Sequence, residues 1–405
     1  MNKHRKQQIF VNSNQTMNQH SKLPHVGDTI FSEMNAVASE VNAINLGQGF
    51  PDYQPDSELL DAVCQAIQRG PNQYAPMIGV AALRQAIAAK VLALQGHAYD
   101  AQQEITVTSG ATEALSASIL ALVHPGDDVV LIDPAYDLYA PVVTLAGGKP
   151  VRVAMRPPDA SRPGFRLDWE AIGNAIHEKT RLLILNFPHN PTGLTLSEAD
   201  LDALEHIAAK KPFLILSDEA YEHIVFDGQA YFSPASRPML AARCVLVSSF
   251  AKTLQITGWK IGYCCAPADI SKEIRKVHQY LVFSVNTPLQ QGIASFLGKT
   301  QAVQALAALY QRKRDRLVRG LSHTRLRPLP CAGTFFLLAD ASALGMDQEK
   351  RTAIRLAKEA GVATIPVSAF YADPDAPAAN HQLLRFCFAK QDATLDAAIE
   401  RLAKI

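Results

Sequence analysis

Short runs of apolar residues, each four to eight long and each closed by a turn residue, recur along this chain between stretches with helical periodicity. ITVTSG, DDVVLIDP, RLLILNFP, PFLILSDE and RCVLVSSF begin at positions 105, 127, 181, 212 and 243. Between and before them lie helical patterns such as SELLDAVCQAIQRG, which ends at Gly70, VAALRQAIAAKVLALQG, ATEALSASILALV and a segment around DLYAPVVTLAGG. Strands apolar on both faces and separated by helices predict an α/β fold with a mostly parallel sheet flanked by helices, since only a sheet covered on both sides needs such strands. After Pro288 the texture changes to a long helical stretch, the basic segment QRKRDRL and strand-like runs at TFFLLAD and LLRFCFA. This predicts a smaller α+β domain completed by N-terminal residues. The expected division is a flexible tail over 1–22, an arm over 23–56, a large domain over 57–295 and a small C-terminal domain over 296–405.

The chain is 405 residues long with a formal net charge of +1, which gives no argument for nucleic acid or an anionic membrane as partner. No apolar run approaches the roughly 18 residues of a membrane helix. The basic, Asn- and Gln-rich start has no apolar core of a secretory signal. Six cysteines (Cys64, Cys244, Cys264, Cys265, Cys331, Cys387) form no C-x-x-C pair, predicting reduced, buried thiols in a cytoplasmic protein. The twelve histidines make no H-E-x-x-H and no cluster with cysteine, so no metal is expected.

In open parallel sheets ligands gather beyond the carboxyl ends of the strands, so the residues there matter most. SGATEA places Gly110, Ala111 and Thr112 at a strand-to-helix turn, where free N–H groups and the helix dipole suit a phosphate. An ordinary tight turn explains that segment equally well. NFPHNPTG sets Asn186 and Asn190 in a proline-flanked loop, where an amide can donate to a phenolic oxygen or simply mark a turn. LILSDEAYEH puts Asp218 at a strand end with Tyr221 three residues on. A carboxylate there keeps a ring nitrogen protonated, or caps a helix. SSFAKTLQITGWK carries Ser249, Lys252 and Lys260. A hydroxyl and an ammonium suit a phosphate, and a lysine that loses its proton readily can form a Schiff base with an aldehyde. Each piece has a mundane reading, whereas the four in this order converge on one aromatic, phosphorylated aldehyde.

From about residue 23 onward the chain resembles the fold type I, pyridoxal-phosphate-dependent class I aminotransferases. The resemblance implies cofactor contacts from Asn190, Asp218, Tyr221, Ser249 and Lys252, with Gly110, Ala111 and Thr112 at the phosphate and Tyr136 of DPAYDLY over the ring. It implies a further phosphate contact from Tyr74 of a partner subunit, hence a homodimer with shared sites. Where the family usually has arginine in G-W-R-I-G this chain has Lys260, which keeps the charge and loses the two-pronged contact. Arg385 in LLRFCFA matches the arginine that clamps the substrate α-carboxylate, and the backbone of Gly47 would face the same group. NLGQGFPDY, QYAPMIGVAALR and KVHQYLVFSVNTPLQ are most similar to the kynurenine aminotransferase and glutamine transaminase K branch, and within it to the bacterial methionine aminotransferases.

The implied catalytic residues are Lys252, Asp218 and Tyr221, moving an amino group from an amino acid to a 2-oxo acid by a ping-pong route. Tyr53, Phe50, Tyr136 and Phe370 are expected to accept methionine, glutamine or aromatic side chains. No arginine is evident for a second carboxylate. Two other readings stay open on these residues: a carbon–sulfur β-lyase acting on cysteine conjugates with the same cofactor, and a non-catalytic ligand sensor on the same fold. A nicotinamide dehydrogenase is disfavoured by the lack of G-x-G-x-x-G at a strand–helix turn.

Overall fold

A computed structural model of the chain describes residues 21–297, 303 and 305–405. The tail expected over 1–22 therefore lies outside the described residues, apart from Ser21 and Lys22.

The apolar runs form the strands expected of them. In chain order they are β1 (Ile44–Asn45), β2 (Ile105–Thr108), β3 (Asp128–Asp133), β4 (Lys149–Ala154), β5 (Thr180–Asn186), β6 (Leu214–Asp218), β7 (Cys244–Ser249) and β8 (Gly262–Cys265). They are followed by β9 (Arg327–Pro328), β10 (Phe336–Asp340), β11 (Val362–Ala363), β12 (Ile365–Pro366) and β13 (Leu383–Cys387). Seven of them make one sheet in the order β2-β8-β7-β6-β5-β3-β4. The β4–β3, β3–β5, β5–β6 and β6–β7 pairs are parallel, and only β8 runs against its neighbours.

Both faces of this sheet are dry, and alternation along each strand sorts its residues between two cores. Val130, Ile132, Leu183, Leu185 and Ile215 enter one core with Leu201, Leu204 and Phe213. Val129, Leu131, Leu182, Ile184 and Leu216 enter another with Leu115 and Ile119 of the helix Gly110–Leu122. Strands β4 and β8 of this sheet were not anticipated, nor were the two-residue β1, β9, β11 and β12. β4 is an edge strand with a mixed, partly exposed sequence, and β8 is only four residues of GYCC directly after a loop. Neither gives a long apolar run to read.

A second sheet, β12-β13-β10-β9, is antiparallel throughout, and β1 pairs with β11 in parallel. The helix Ile30–Glu40, capped by the Thr29 hydroxyl, sends Met34 and Ala38 into a core shared with Leu317, Phe335, Phe386 and Leu402. Chain segments from both ends of the sequence thus build one hydrophobic unit beside the carboxyl edge of the large sheet. Of the six cysteines five are buried as expected; Cys64 is exposed, lying on the outer face of the helix Ser57–Arg69. Among the described residues no helix is long and apolar enough to cross a membrane.

Candidate active site

The parallel register brings the carboxyl ends of β5, β6 and β7 side by side, with Asn186 opposite Asp218 and Asp218 opposite Val247. Beyond them lies a cavity of about 320 Å³ walled by Gly110, Ala111, Thr112, Tyr136, Asn186, Asn190, Asp218, Tyr221, Ser249, Lys252, Lys260 and Arg385. Residues from Gly110 to Lys260 share one chamber because each lies at or near the end of a strand of the large sheet, and Arg385 reaches it from the middle of β13 in the second sheet.

Gly110 opens its helix with φ +75, and no side chain caps that end. Its first N–H groups are consequently free to meet an anion, and Lys260 Nζ sits over them, donating to Thr112 Oγ1 at 3.2 Å. Gly262 is needed behind the turn, since a Cβ there would fall 2.7 Å from Ala111 N. Ser249 caps the next short helix, Phe250–Thr253, through a 3.2 Å bond from Ala251 N. That turn carries Lys252 inward.

Lys252 Nζ donates to Gly49 O at 3.1 Å and lies 5.2 Å from the Phe335 ring centroid and 5.8 Å from that of Tyr221. Burial pushes its ammonium down to about 8, with Arg385 and Lys260 adding to the effect and Asp218 opposing it. Asp218 is itself buried, which raises its carboxyl above the ordinary value. Two donors offset this: Tyr139 Oη at 2.7 Å to Oδ2 and Ala220 N at 3.2 Å to Oδ1. Asn186 joins β5 to β6 by donating to Asp218 O at 3.0 Å and accepting from Asn190 N at 3.0 Å. The Tyr221 ring packs edge-on to Phe335 and Phe336.

Arg385, from β13, is 1% exposed. Its Nη1 donates to Asn190 Oδ1 at 2.7 Å and its Nη2 to Gly47 O at 3.0 Å, while Nε has no partner. The guanidinium lies 3.9 Å from the Phe336 ring centroid, with Phe31 and Phe370 at 5.2 and 5.1 Å. Among the described residues no carboxylate comes within salt-bridge distance of it. A dry cation with an idle N–H and no counter-ion is a site waiting for an anion.

Several expected residues lie elsewhere. Gly47 is not on the cavity wall; it meets the site only through its carbonyl on Arg385, and Gly49 is the glycine that lines the chamber. Tyr53 bonds Tyr310 Oη at 3.1 Å, and Phe50 is an exposed ring packed over the buried Lys390, so neither lines the cavity. Phe370 borders an adjoining groove that it shares with Tyr136. Tyr74, expected to serve a partner subunit's site rather than this one, is 81% exposed and packs edge-on against Phe283. Conversely, Tyr139, Phe31, Gly49 and Phe336 belong to the site unannounced. Tyr139 opens the helix Tyr139–Leu145 and reaches Asp218 across 79 positions of sequence, a contact that no local pattern signals.

The match to known proteins agrees with this geometry. Residues 41–402 match the family "Aminotransferase class I and II". The chain belongs to that family. These enzymes depend on pyridoxal phosphate, and the chamber fits the group: an uncapped helix start beside a lysine for phosphate, a buried carboxylate for a ring nitrogen, and a proton-poor lysine for an aldehyde. This aminotransferase is 50% identical over 386 residues, 95% of its length and 98% of the relative's, to the methionine aminotransferase of Escherichia coli. It superposes on the crystal structure of Escherichia coli YbdL, reported with a methionine aminotransferase function, with TM-score 0.92 and 49% identity over 96% of this chain and 100% of that one. The N-succinyldiaminopimelate aminotransferase of Mycobacterium tuberculosis superposes with TM-score 0.90 at 43% identity, covering 95% and 99%. Human kynurenine–oxoglutarate transaminase 1 is 33% identical over 92% of this chain and 94% of its own. The enzyme is therefore a pyridoxal-phosphate-dependent aminotransferase acting on amino acids and 2-oxo acids.

Proposed function

We propose that the donors are amino acids with neutral side chains, namely methionine, glutamine and aromatic amino acids. The observation that carries this is the distribution of cations. Arg385 is a buried guanidinium on the cavity wall with no carboxylate in salt-bridge distance among the described residues, suited to the α-carboxylate by parallel hydrogen bonds. The two cations bordering the adjoining groove are already engaged, Arg152 with Asp133 at 2.6 Å and Lys350 with Glu33 at 2.8 Å. Tyr136, Phe370 and Tyr371 are among the groove's other walls, beside the acidic Asp28, Asp137 and Asp375, which suits a neutral side chain better than a second carboxylate. The likeness to a methionine aminotransferase at 50% identity supports the same reading.

Each site residue then has a task. Gly110, Ala111, Thr112, Ser249 and Lys260 hold the phosphate, joined by Tyr74 from a second subunit. Tyr136 would cover the ring, and Asn190 and Tyr221 would meet its phenolic oxygen. Asp218 keeps the ring nitrogen protonated. Pyridoxal phosphate supplies an electron sink for the carbanion formed at Cα. Lys252 would hold the aldehyde, and its free Nζ is the base that would take the proton from the substrate Cα. Arg385 would hold the carboxylate, with the Gly47 carbonyl accepting from its Nη2 to steady it. We further propose a homodimer, a cytoplasmic setting, and a cofactor domain over 57–295 beside a small domain over 296–405. Steady-state rates with methionine, kynurenine and aspartate test the donor class. Methionine should be favoured, and a marked preference for aspartate would overturn the assignment.

A further inference from the structure

Four consecutive backbone carbonyls of the N-terminal arm are each taken by a cation. Gly47 O accepts from Arg385, Gln48 O and Phe50 O accept from Lys390 Nζ at 3.3 and 2.8 Å, and Gly49 O accepts from Lys252. Asn45 Oδ1 fixes the start of this strap by accepting from Gly47 N at 2.9 Å and Gln48 N at 3.1 Å. Two of the three cations belong to the site. Lys390 does not: it is absent from the cavity wall, 3% exposed, and among the described residues has no carboxylate within salt-bridge distance.

Burying an ammonium is costly unless its donors are satisfied, and here the two strap carbonyls satisfy it, with the Phe50 ring 4.5 Å away. The strap and Arg385 also lean on one ring. A Cβ at Gly49 would fall 2.7 Å from Phe336 Cζ, and the Arg385 guanidinium stacks on that same ring. Moving the strap moves the ring against which the guanidinium is oriented. The neighbouring turn continues the grip, because Gln391 N and Thr394 Oγ1 donate to the Asp52 carboxylate at 2.6 and 2.7 Å.

We propose that Lys390 is a positioning residue for the substrate carboxylate, holding the 47–50 strap so that Arg385 keeps its orientation. Lys252 has chemistry of its own and Arg385 must serve the ligand, which leaves Lys390 as the permanent anchor. This inference rests on the reading of Arg385 as the carboxylate site. Its test uses the holoenzyme and 4-(methylthio)butanoate, the methionine skeleton without its amine, with binding followed by the change in cofactor absorbance. Lys390→Met should raise both that dissociation constant and the KM for methionine about tenfold while kcat changes less, the loss of one well-placed charged hydrogen-bond donor. Lys390→Arg, which can still reach two carbonyls, should recover most of the affinity. Should Lys390→Met fail to fold, Lys390→Gln carries the same expectation in smaller measure. Unchanged affinity and KM with only a lowered melting temperature would reduce Lys390 to a packing residue and overturn the proposal. Failure of the wild-type enzyme to bind the acid at all would instead remove the Arg385 reading, and this one with it.

Discussion

A lysine surrounded by two aromatic rings, an arginine and a second lysine gives up its proton more readily than one in water. Burial takes Lys252 down to about 8, so its amine is largely neutral only above that pH. Uptake of pyridoxal phosphate by the apoenzyme needs the neutral amine, and its rate should climb through pH 8 and level off above; stopped-flow absorbance measures it. A flat profile from pH 6.5 to 9 would count against the assignment. Lys252→Ala should abolish turnover and the absorbance of the lysine–cofactor imine together. Asp218 faces the opposite pressure, since burial disfavours its charge and the Tyr139 hydroxyl restores it through a 2.7 Å bond. Tyr139→Phe removes that donor at a cost of about 1–2 kcal/mol to the buried carboxylate. Equilibrium dialysis should then show pyridoxal phosphate bound roughly tenfold more weakly; unchanged affinity would mean Tyr139 only fills space.

At the scale of elements, the loop after β5 shows how a turn can be anchored by groups that must stay neutral. His189 is buried there, with Nδ1 2.7 Å from Thr192 Oγ1 and its ring beside Phe187. Burial holds its imidazole down to about 3, against 6.5 in the ordinary case. The unfolded chain therefore takes up this proton first, so the stability contributed by neutral His189 is complete above pH 6.5 and is lost as pH falls toward 3. Between pH 7 and 5 the loss from this one group amounts to about 2 kcal/mol. His189→Gln should flatten that part of the stability profile in denaturant titrations. A variant as acid-sensitive as wild type would show that other groups control it. Asn186 and Asn190 lie in the same segment, so their amides depend on this turn remaining folded.

At the scale of the whole molecule, the most exposed aromatic residues among those described cluster near one segment. Tyr74 and Phe283 touch edge to edge, and Tyr280 belongs to the helix that ends just before Phe283. Exposed clusters of this kind are typical of interfaces, and Tyr74 is the residue proposed to reach a partner's phosphate site. Inactive Tyr74→Phe and Lys252→Ala variants, mixed under subunit exchange, should regain activity, because a hybrid dimer carries one intact site. Random mixing gives roughly a quarter of the wild-type sites. No recovery, with exchange proven by mass, would reject the shared site.

The sequence by itself determined the parallel sheet and the polar residues that end its strands, since both follow from local patterns: continuous apolar runs, turn residues and what stands beside them. Asn186, Asp218, Ser249 and Lys252 were legible for that reason, and the strand register then had to bring them together. Tertiary structure alone decided the antiparallel β8, the Tyr139 contact, the exclusion of Phe50 and Tyr53 from the cavity, and the strap beneath Arg385. The last of these joins residues 338 positions apart. Contacts at such separation leave no periodicity in either segment, and only packing of the two chain ends into one core creates them.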